Sequence, residues 1–332
     1  MADRLVLVTG ATGSVGPRVV GAFLAGGSAV RTFSTNRPPQ GLLSPDVDVR
    51  VGDITDAASV RGAIAGVDIV VHLAALLHQF EPTADLGKRF ERVNVEGTRN
   101  VVRAAVDEGV TRLVYVSSIA VYGPSTQVID ESVAPNPDTD YGRTKLAAER
   151  IVLAAAGNGR PIGTVLRPAA VYGARIKGNY RRLACAIARR RYLSLGPGTN
   201  RRTIVHDRDL AQAIVLAASH PAAAGAVFNV SDGKVHSVGA IVAAIHRALG
   251  RRPPRFYLPL GLARAGAAFC EGAFGLLGRR PPFSRTLLDK YTEDTSVDGS
   301  LIQRALGFTP VVDLESGWKE TMEALLQSDD RC

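Results

Sequence analysis

The chain has 332 residues, 46% of them apolar and 21% charged, enough for one large α/β domain with an accessory lobe, or for two domains, with a sizeable core. Lysine and arginine outnumber aspartate and glutamate by nine. The excess reads as arginines spread over the length, with small knots at 189–191, 201–202 and 251–252. With no interleaved aromatics and no nucleic-acid motif it speaks against nucleic acid, and it suits a small polyanion or a merely arginine-rich composition.

Residues 5–16 organise the rest. Leu5, Val6, Leu7 and Val8 form a continuous apolar run, as a strand buried on both faces requires. The run starts directly after Met-Ala-Asp-Arg, with no basic-then-apolar leader, which points to the cytoplasm. Gly10, Gly13 and Gly16 follow in a Gly-x-x-Gly-x-x-Gly turn with Thr12, Ser14 and Val15 between them, and a helical pattern continues to about Ala25. A strand, a tight turn and a helix N-terminus offer unpaired N–H groups to an anion, and glycines let phosphates approach the backbone. That is the arrangement of a dinucleotide site.

Residues 29–33 read as a second strand. Its end carries Ser34, Thr35 and Asn36, then Arg37, with Arg31 nearby, where NAD sites place an acid on the adenosine ribose. Hydroxyls and a guanidinium suit the 2′-phosphate of NADP better, so between NAD and NADP the lean is to NADP. Residues 47–51 make a third strand closed by Gly52, Asp53 and Ile54; the Asp53 carboxylate is placed to meet the adenine amino group. After a helix over 60–65, a fourth strand at 68–75 ends in Leu73, Ala74 and Ala75, where small side chains let the backbone approach a cofactor. Asn94 is expected to open the next helix and to pin neighbouring strand ends. A fifth strand at 113–116 runs into Ser117 and Ser118. Strands and helices alternating at this spacing predict an α/β fold with a doubly wound, Rossmann-type parallel sheet, its ligand at the carboxyl ends of the strands.

Tyr141 and Lys145 stand four apart at the start of a helix through 152, so both lie on one face. A tyrosine with a pKa of about 10 is a poor acid–base at neutral pH. A neighbouring ammonium favours the phenolate and is expected to lower that value. Ser118 can hold the same substrate oxygen while a proton moves on or off a hydroxyl and a hydride passes to or from a nicotinamide.

With these residues in place the chain resembles the extended short-chain dehydrogenase/reductase family of the NAD-dependent epimerase/dehydratase type. The matches are residues 9–16, Gly52-Asp53-Ile54, 72–75, 94–98, Ser117-Ser118 with 121–123, 141–145, 166–168 and 306–310, in the family's order. The resemblance implies that Ser118, Tyr141 and Lys145 are catalytic, that Lys145 also binds the nicotinamide ribose, and that Pro168 lies at the cofactor. It also implies a homodimer through a four-helix bundle, for which the helix around 101–106 offers an apolar face, although that face equally suits the chain's own core.

A sixth strand at 161–166, a helix ending near Arg190, a seventh strand at 228–231 and a helix over 238–249 follow. Residues 1–170, with 204–231 returning, are expected to form the cofactor domain, and 171–203 with 232–330 a smaller C-terminal substrate lobe. By the resemblance, Asn179 and Arg202 would hold a diphosphate; His78, just past the fourth strand, suits either a place facing the sugar or a solvated loop. The lobe motifs look most similar to bacterial UDP-sugar C4-epimerases and 4-ketoreductases. Ile119-Ala120 stand where 4,6-dehydratases carry an Asp-Glu pair, which speaks against dehydration. Ala170 stands where many UDP-galactose epimerases have asparagine, which favours a reductase, yet the residues do not separate epimerase from ketoreductase. A 3β-hydroxysteroid-type or other lipophilic alcohol dehydrogenase is the alternative; a non-catalytic NADP sensor is a remote one. The stretch 258–277, interrupted by Arg264 and Glu271, is a poor transmembrane segment and suits an amphipathic helix or a lid. Cys185, Cys270 and Cys332 are far apart, odd in number and lack metal-ligand spacing, which fits a reducing cytoplasm with no structural disulfide and no metal site.

Overall fold

Alternation along each central strand sends successive side chains to opposite faces of the sheet and splits the core in two. In β1 (Leu5–Thr9) Val6 and Val8 face one way and Leu7 the other. The computed structural model describes residues 4–77, 85–254, 256–276, 285, 288, 292–327 and 332. Its main sheet adds β2 (Ala29–Ser34), β3 (Asp48–Val51), β4 (Ile69–His72), β5 (Arg112–Val116), β6 (Gly163–Pro168) and β7 (Val227–Val230). The order is β7-β6-β5-β4-β1-β2-β3, and every pairing is parallel. Winding reverses between β1 and β4, which opens a crevice at their carboxyl ends. The expected doubly wound sheet is therefore present.

Under α1 (Gly16–Ala25) and α7 (Asp207–Ser219), Val6, Val8, Ile69, Val71, Val114 and Leu166 form one core. The opposite core lies under α2 (Ala57–Ile64), α4 (Gly97–Asp107) and α5 (Asp140–Leu153) and holds Leu7, Val70, Leu113, Tyr115 and Val165. Full burial of each such side chain contributes about 1.5–3 kcal/mol. Arg18 of α1 pairs with Asp207 at the start of α7 and with Glu320 of α11 (Leu314–Gln327), tying three helices together. A third core, of Tyr172, Leu183, Ile187, Ile241, Ile245, Trp318 and Met322, joins α6 (Gly178–Ala188), α8 (Val238–Ala248) and α11. Between α8 and α11 lie α9 (Leu260–Leu276) and α10 (Ser300–Leu306).

Four expectations change. The fourth strand stops at His72, because residues 73–77 leave the ladder. Asn94 does not open a helix: α3 (Leu86–Phe90) runs through a π-helical turn (Glu91–Glu96) into α4, and Asn94 sits inside that turn. On α4, Val101, Val102, Ala104 and Ala105 are buried within the chain itself, and of the apolar residues in 101–106 Val106 alone is exposed, so most of the apolar face is spent on the chain's own core. Finally, Cys185 of α6 and Cys332 form a disulfide across 147 residues, with Cα atoms 4.9 Å apart. Spacing along the chain does not report such proximity, and the argument from cysteine usage to compartment falls with it. Among the described residues no helix is long and apolar enough to cross a membrane.

Candidate active site

Gly10 turns the chain at the end of β1 with φ of +69°, and a Cβ there would lie 2.8 Å from the Ala74 backbone. Only glycine lets the ends of β1 and β4 come this close. Its N–H donates to Phe33 O, and Gly13 N–H donates back to Gly10 O, both at 2.9 Å. Thr12, Ser14 and Val15 complete the turn, and Gly16 starts α1. Val15 caps that helix without a side-chain hydrogen bond, so its first N–H groups face the crevice unsatisfied by a cap. Arg175 NH2 reaches Thr12 O at 3.3 Å.

At the end of β2 the Ser34 Oγ is buried and has no hydrogen-bond partner; the Ser117 Oγ after β5 is in the same state. Buried hydroxyls are normally paired. Two orphans at the carboxyl ends of β2 and β5, on either side of β1 and β4, together with the Gly10 turn, fit a dinucleotide lying across the crevice. Thr35 and Arg37 are exposed, as is Asp53, whose Oδ1 accepts from Thr55 N at 2.9 Å. Ile54 is buried, and its carbonyl accepts from Asn100 at 3.0 Å. Arg31, expected near a 2′-phosphate, is committed elsewhere. Its Nε donates to Asp48 at 2.7 Å and its NH1 to the carbonyls of Ala63 and Ala65. That removes one support for NADP.

The segment after β4 is fixed by a chain of buried polar groups. Leu73 N donates to Thr9 O and Ala74 N to Thr9 Oγ1, at 3.3 and 3.2 Å. Thr9 Oγ1 meets His72 Nδ1 at 2.7 Å, and His72 Nε2 meets Thr98 Oγ1 at 3.1 Å. Thr98 donates to Asn94 O at 2.6 Å. Asn94 then accepts from Leu76 N at 2.7 Å and donates to Leu76 O and Thr144 Oγ1, both at 3.2 Å; Thr144 donates to Tyr141 O at 3.0 Å. Ala75 lies within the strip so held. The π turn brings the Asn94 amide to Leu76 and Thr144 at once. Burial, helped by the charge of Lys145, pushes His72 down to about 3 and keeps the ring neutral.

Thr139 caps α5 by accepting from Gly142 N at 3.1 Å, which puts Tyr141 in the first helical turn. A Cβ on Gly142 would lie 2.5 Å from Ala120 O, so its absence seats α5 against the turn that follows Ser118. Phe90 flanks the Tyr141 ring at 6.2 Å between centroids. Burial pushes the Tyr141 phenol up to about 12, and the Ser118 hydroxyl beside it pulls the other way. Burial pushes Lys145 down to about 7, with Glu149 opposing. Lys145 Nζ donates to Val116 O at 2.7 Å and lies 4.2 Å from the Tyr115 ring centroid. The expected lowering of the tyrosine by its lysine is therefore reversed in the chain alone, because both groups are desolvated and the lysine is turned to a carbonyl.

A second network, not expected from the sequence, lies beneath Lys145. Glu149 takes three hydrogen bonds from Arg167, the shortest 2.6 Å, and both side chains are buried. Arg167 NH1 donates to Tyr122 Oη, which donates to Asn229 Oδ1, each at 2.9 Å. Pro168 ends β6 directly after this arginine. An acid four residues after Lys145 on a helix face otherwise buried was the available signal.

The proposed substrate contacts are placed separately. Asn179 is exposed in the first turn of α6. Arg202 NH1 donates to Thr295 Oγ1 at 2.6 Å, and its charge acts on Tyr180, whose phenol burial pushes up to about 12. Arg201 pairs with Asp294 at 3.0 Å in a cleft of ≈ 790 Å³ lined also by Ser125, Gln127, Asn200 and Glu293. Neither Tyr141 nor Lys145 is among the lining residues. His78 lies outside the described residues. His206, Asp207 and Glu320 gather their ligand atoms within 4.8 Å, but the cation among them is Arg18.

Comparison with known proteins agrees with this geometry. The chain matches the NAD dependent epimerase/dehydratase family over residues 6–231. It is 32% identical to a UDP-glucose 4-epimerase of Vibrio cholerae over 99% of this chain and 97% of the relative. An N-acetyl-alpha-D-glucosaminyl-diphospho-ditrans,octacis-undecaprenol 4-epimerase of Escherichia coli O157:H7 is 28% identical over 96% and 94%. Among solved structures, MoeE5 in complex with UDP-glucuronic acid and NAD is 30% identical with a TM-score of 0.74, covering 96% of this chain and 98% of that one. With its parallel sheet, glycine turn and Tyr141–Lys145 helix, the chain belongs to the NAD dependent epimerase/dehydratase family.

Proposed function

We propose that the chain carries out oxidation and reduction at C4 of a sugar bearing a nucleoside diphosphate, most closely as a UDP-hexose 4-epimerase. The observation that carries this reading is the meeting of Tyr141, Ser118 and Lys145 at the carboxyl end of β5, beside the Gly10 turn and the orphaned Ser117 hydroxyl. Tyr141 exchanges a proton with the C4 hydroxyl, and Ser118 holds that oxygen by a hydrogen bond. Lys145 supplies the cationic side of the pocket and orients the cofactor ribose. The bound nicotinamide supplies the hydride acceptor and a positive charge that favours the phenolate. The Gly10–Gly16 turn holds the diphosphate of the cofactor, and Ser34 with Thr35 and Arg37 meets its adenosine ribose. Asn179 and Arg202 grip the diphosphate of the sugar nucleotide. In this reading residues 1–170 with 204–231 bind the cofactor and 171–203 with 232–330 bind the substrate.

NAD is the cofactor we favour: MoeE5 and its bound NAD support it, and Arg31 is spent on Asp48. A ketoreductase acting on a 4-keto sugar uses the same residues. A second reading changes only the carrier, to a polyprenyl diphosphate, on the strength of the second relative. The test is to extract the nucleotide that co-purifies with the chain and to assay UDP-hexoses, a UDP-4-keto sugar and a polyprenyl-diphosphate sugar. Retained NAD with interconversion of a UDP-hexose pair supports the lead reading. NAD(P)H consumption only with the 4-keto sugar converts it to a reductase. Silence with every diphosphate sugar overturns it in favour of a lipophilic alcohol.

A further inference from the structure

The arginine excess is not scattered. Residues 174–206 and 233–270 together contain fifteen lysines and arginines and no aspartate or glutamate. The remaining 25 basic residues face all 31 acids, so the rest of the chain is net acidic. The structure brings the two basic segments side by side. Arg251 NH1 donates to Ile187 O and Ala188 O at the end of α6, at 2.9 and 3.0 Å. Leu258 N donates to Ser194 O at 2.8 Å, and Gly196 N to Leu258 O at 2.9 Å.

An apolar ridge lies on the same region. Helix α9 is apolar nearly all round: Ala263 and Ala267 pack inward with Leu288, Leu195 and Leu258, while Leu262 and Phe269, seven residues apart on the opposite face, are 63% and 78% exposed. Just before the helix, Phe256 is 88% exposed and Tyr257 51%, and Leu193 beside them is 58%. A helix apolar on all sides is ordinarily covered on all sides. Arg189, Arg190, Arg191 and Arg252 flank the ridge, all exposed. Arg190 even holds a left-handed backbone, φ 58°, at the position after a helix where glycine is favoured. Its N–H donates to Ile187 O, and that of Arg191 donates to Ala186 O, which closes the turn.

We propose that this face, Phe256–Tyr257 and the outer side of α9 rimmed by the arginines of 189–191 and 252, docks on the surface of a bilayer containing anionic lipid. Aromatic and aliphatic side chains would enter the headgroup boundary while guanidinium groups meet lipid phosphates. A second copy of this chain docked face to face is a poor occupant, since it would oppose one predominantly basic surface with another; Glu271, the one acid of α9, is already paired with Arg285 at 2.7 Å. The inference is independent of which diphosphate sugar is processed.

The test is co-sedimentation of the full chain with vesicles of phosphatidylcholine alone and of equal parts phosphatidylcholine and phosphatidylglycerol. Binding is expected to the mixed vesicles only, and to weaken as salt is raised. Arg189→Gln with Arg191→Gln should weaken it roughly fivefold per arginine. Phe256→Ser with Phe269→Ser should weaken it by tenfold or more. Val311→Ser, 68% exposed but outside the basic segments, should leave it unchanged, and thermal unfolding should be unaltered in all three. No binding to mixed vesicles overturns the proposal, as does equal binding to both vesicles. A lipid-free change of oligomeric state in the phenylalanine variant also overturns it, assigning the face to self-association.

Discussion

Two regions of the molecule treat polar groups in opposite ways. Along the carboxyl edge of the sheet they are buried and bonded to one another, from Thr9 through His72, Thr98 and Asn94 to Thr144, and from Glu149 through Arg167 to Tyr122. Around α6 and the start of α9 they are exposed arginines, in the stretches 174–206 and 233–270 that hold no carboxylate. A buried network fixes geometry, because each unmade bond costs the full desolvation of its group. An exposed field of one sign fixes little and attracts from a distance. The first suits chemistry that needs placed atoms, the second a partner met as a surface.

The comparison breaks first at Tyr141. Tyr141→Phe keeps the ring against Phe90 and removes the proton, so turnover is expected to fall by roughly 10²–10⁴ while cofactor binding, followed by fluorescence titration, is retained. Loss of both would mean that the residue is structural.

Glu149→Gln leaves the Arg167 guanidinium buried without its counter-charge. Urea unfolding should show a loss of about 3–5 kcal/mol. Replacing Arg167 by methionine in the same chain should return part of it; strict additivity would show that the two are not coupled.

The pH dependence follows from His72. Burial, then the charge of Lys145, hold its folded pKa at about 3, below the ordinary 6.5, so between these values the unfolded chain binds a proton that the folded chain does not. The stability that His72 contributes is therefore full above about pH 6.5 and is lost as pH drops toward 3. Lys145, held at about 7 against 10.5, adds a loss in the same direction between pH 10.5 and 7. Tyr141, raised to about 12, costs stability only as pH rises above 10. Urea midpoints of His72→Gln should lose the slope between pH 6.5 and 4 alone, and an unchanged slope would place its origin elsewhere.

Smaller effects sharpen the contrast. Ser34→Asp should move the ratio of the NADP to the NAD dissociation constant about tenfold further in favour of NAD, or 1.4 kcal/mol; no shift would put the adenosine ribose away from Ser34. On the exposed side, Arg190→Gly should stabilise the chain by about 1 kcal/mol by relieving the left-handed backbone, read from thermal unfolding.

Much of the first region was legible in the sequence, because a strand buried on both faces and a glycine turn write themselves locally. Leu5–Thr9, the Gly10 turn and the Tyr141–Lys145 pair needed only neighbouring residues to be read. What was missed depends on partners far along the chain. His72 and Thr98 matter through Thr9, and Glu149 through Arg167; Cys185 meets Cys332. The basic face was missed for another reason: the arginines were visible, but a field is set equally by where acids are absent. Arg31 was misread because proximity in sequence to Ser34 says nothing of Asp48 on the neighbouring strand.

The π turn at Glu91–Glu96 has a consequence for how this rod of helix can change. A π turn carries one residue more per turn than an α turn, so side chains before and after it run on two different phases. Substitutions in Leu86–Phe90 and in Gly97–Asp107 therefore address separate faces, although they lie on one helix. Deleting a single residue between them would bring the two phases into line and swing the Asn94 amide away from Leu76. The helix would survive as a helix, and the clamp on the crevice would be lost.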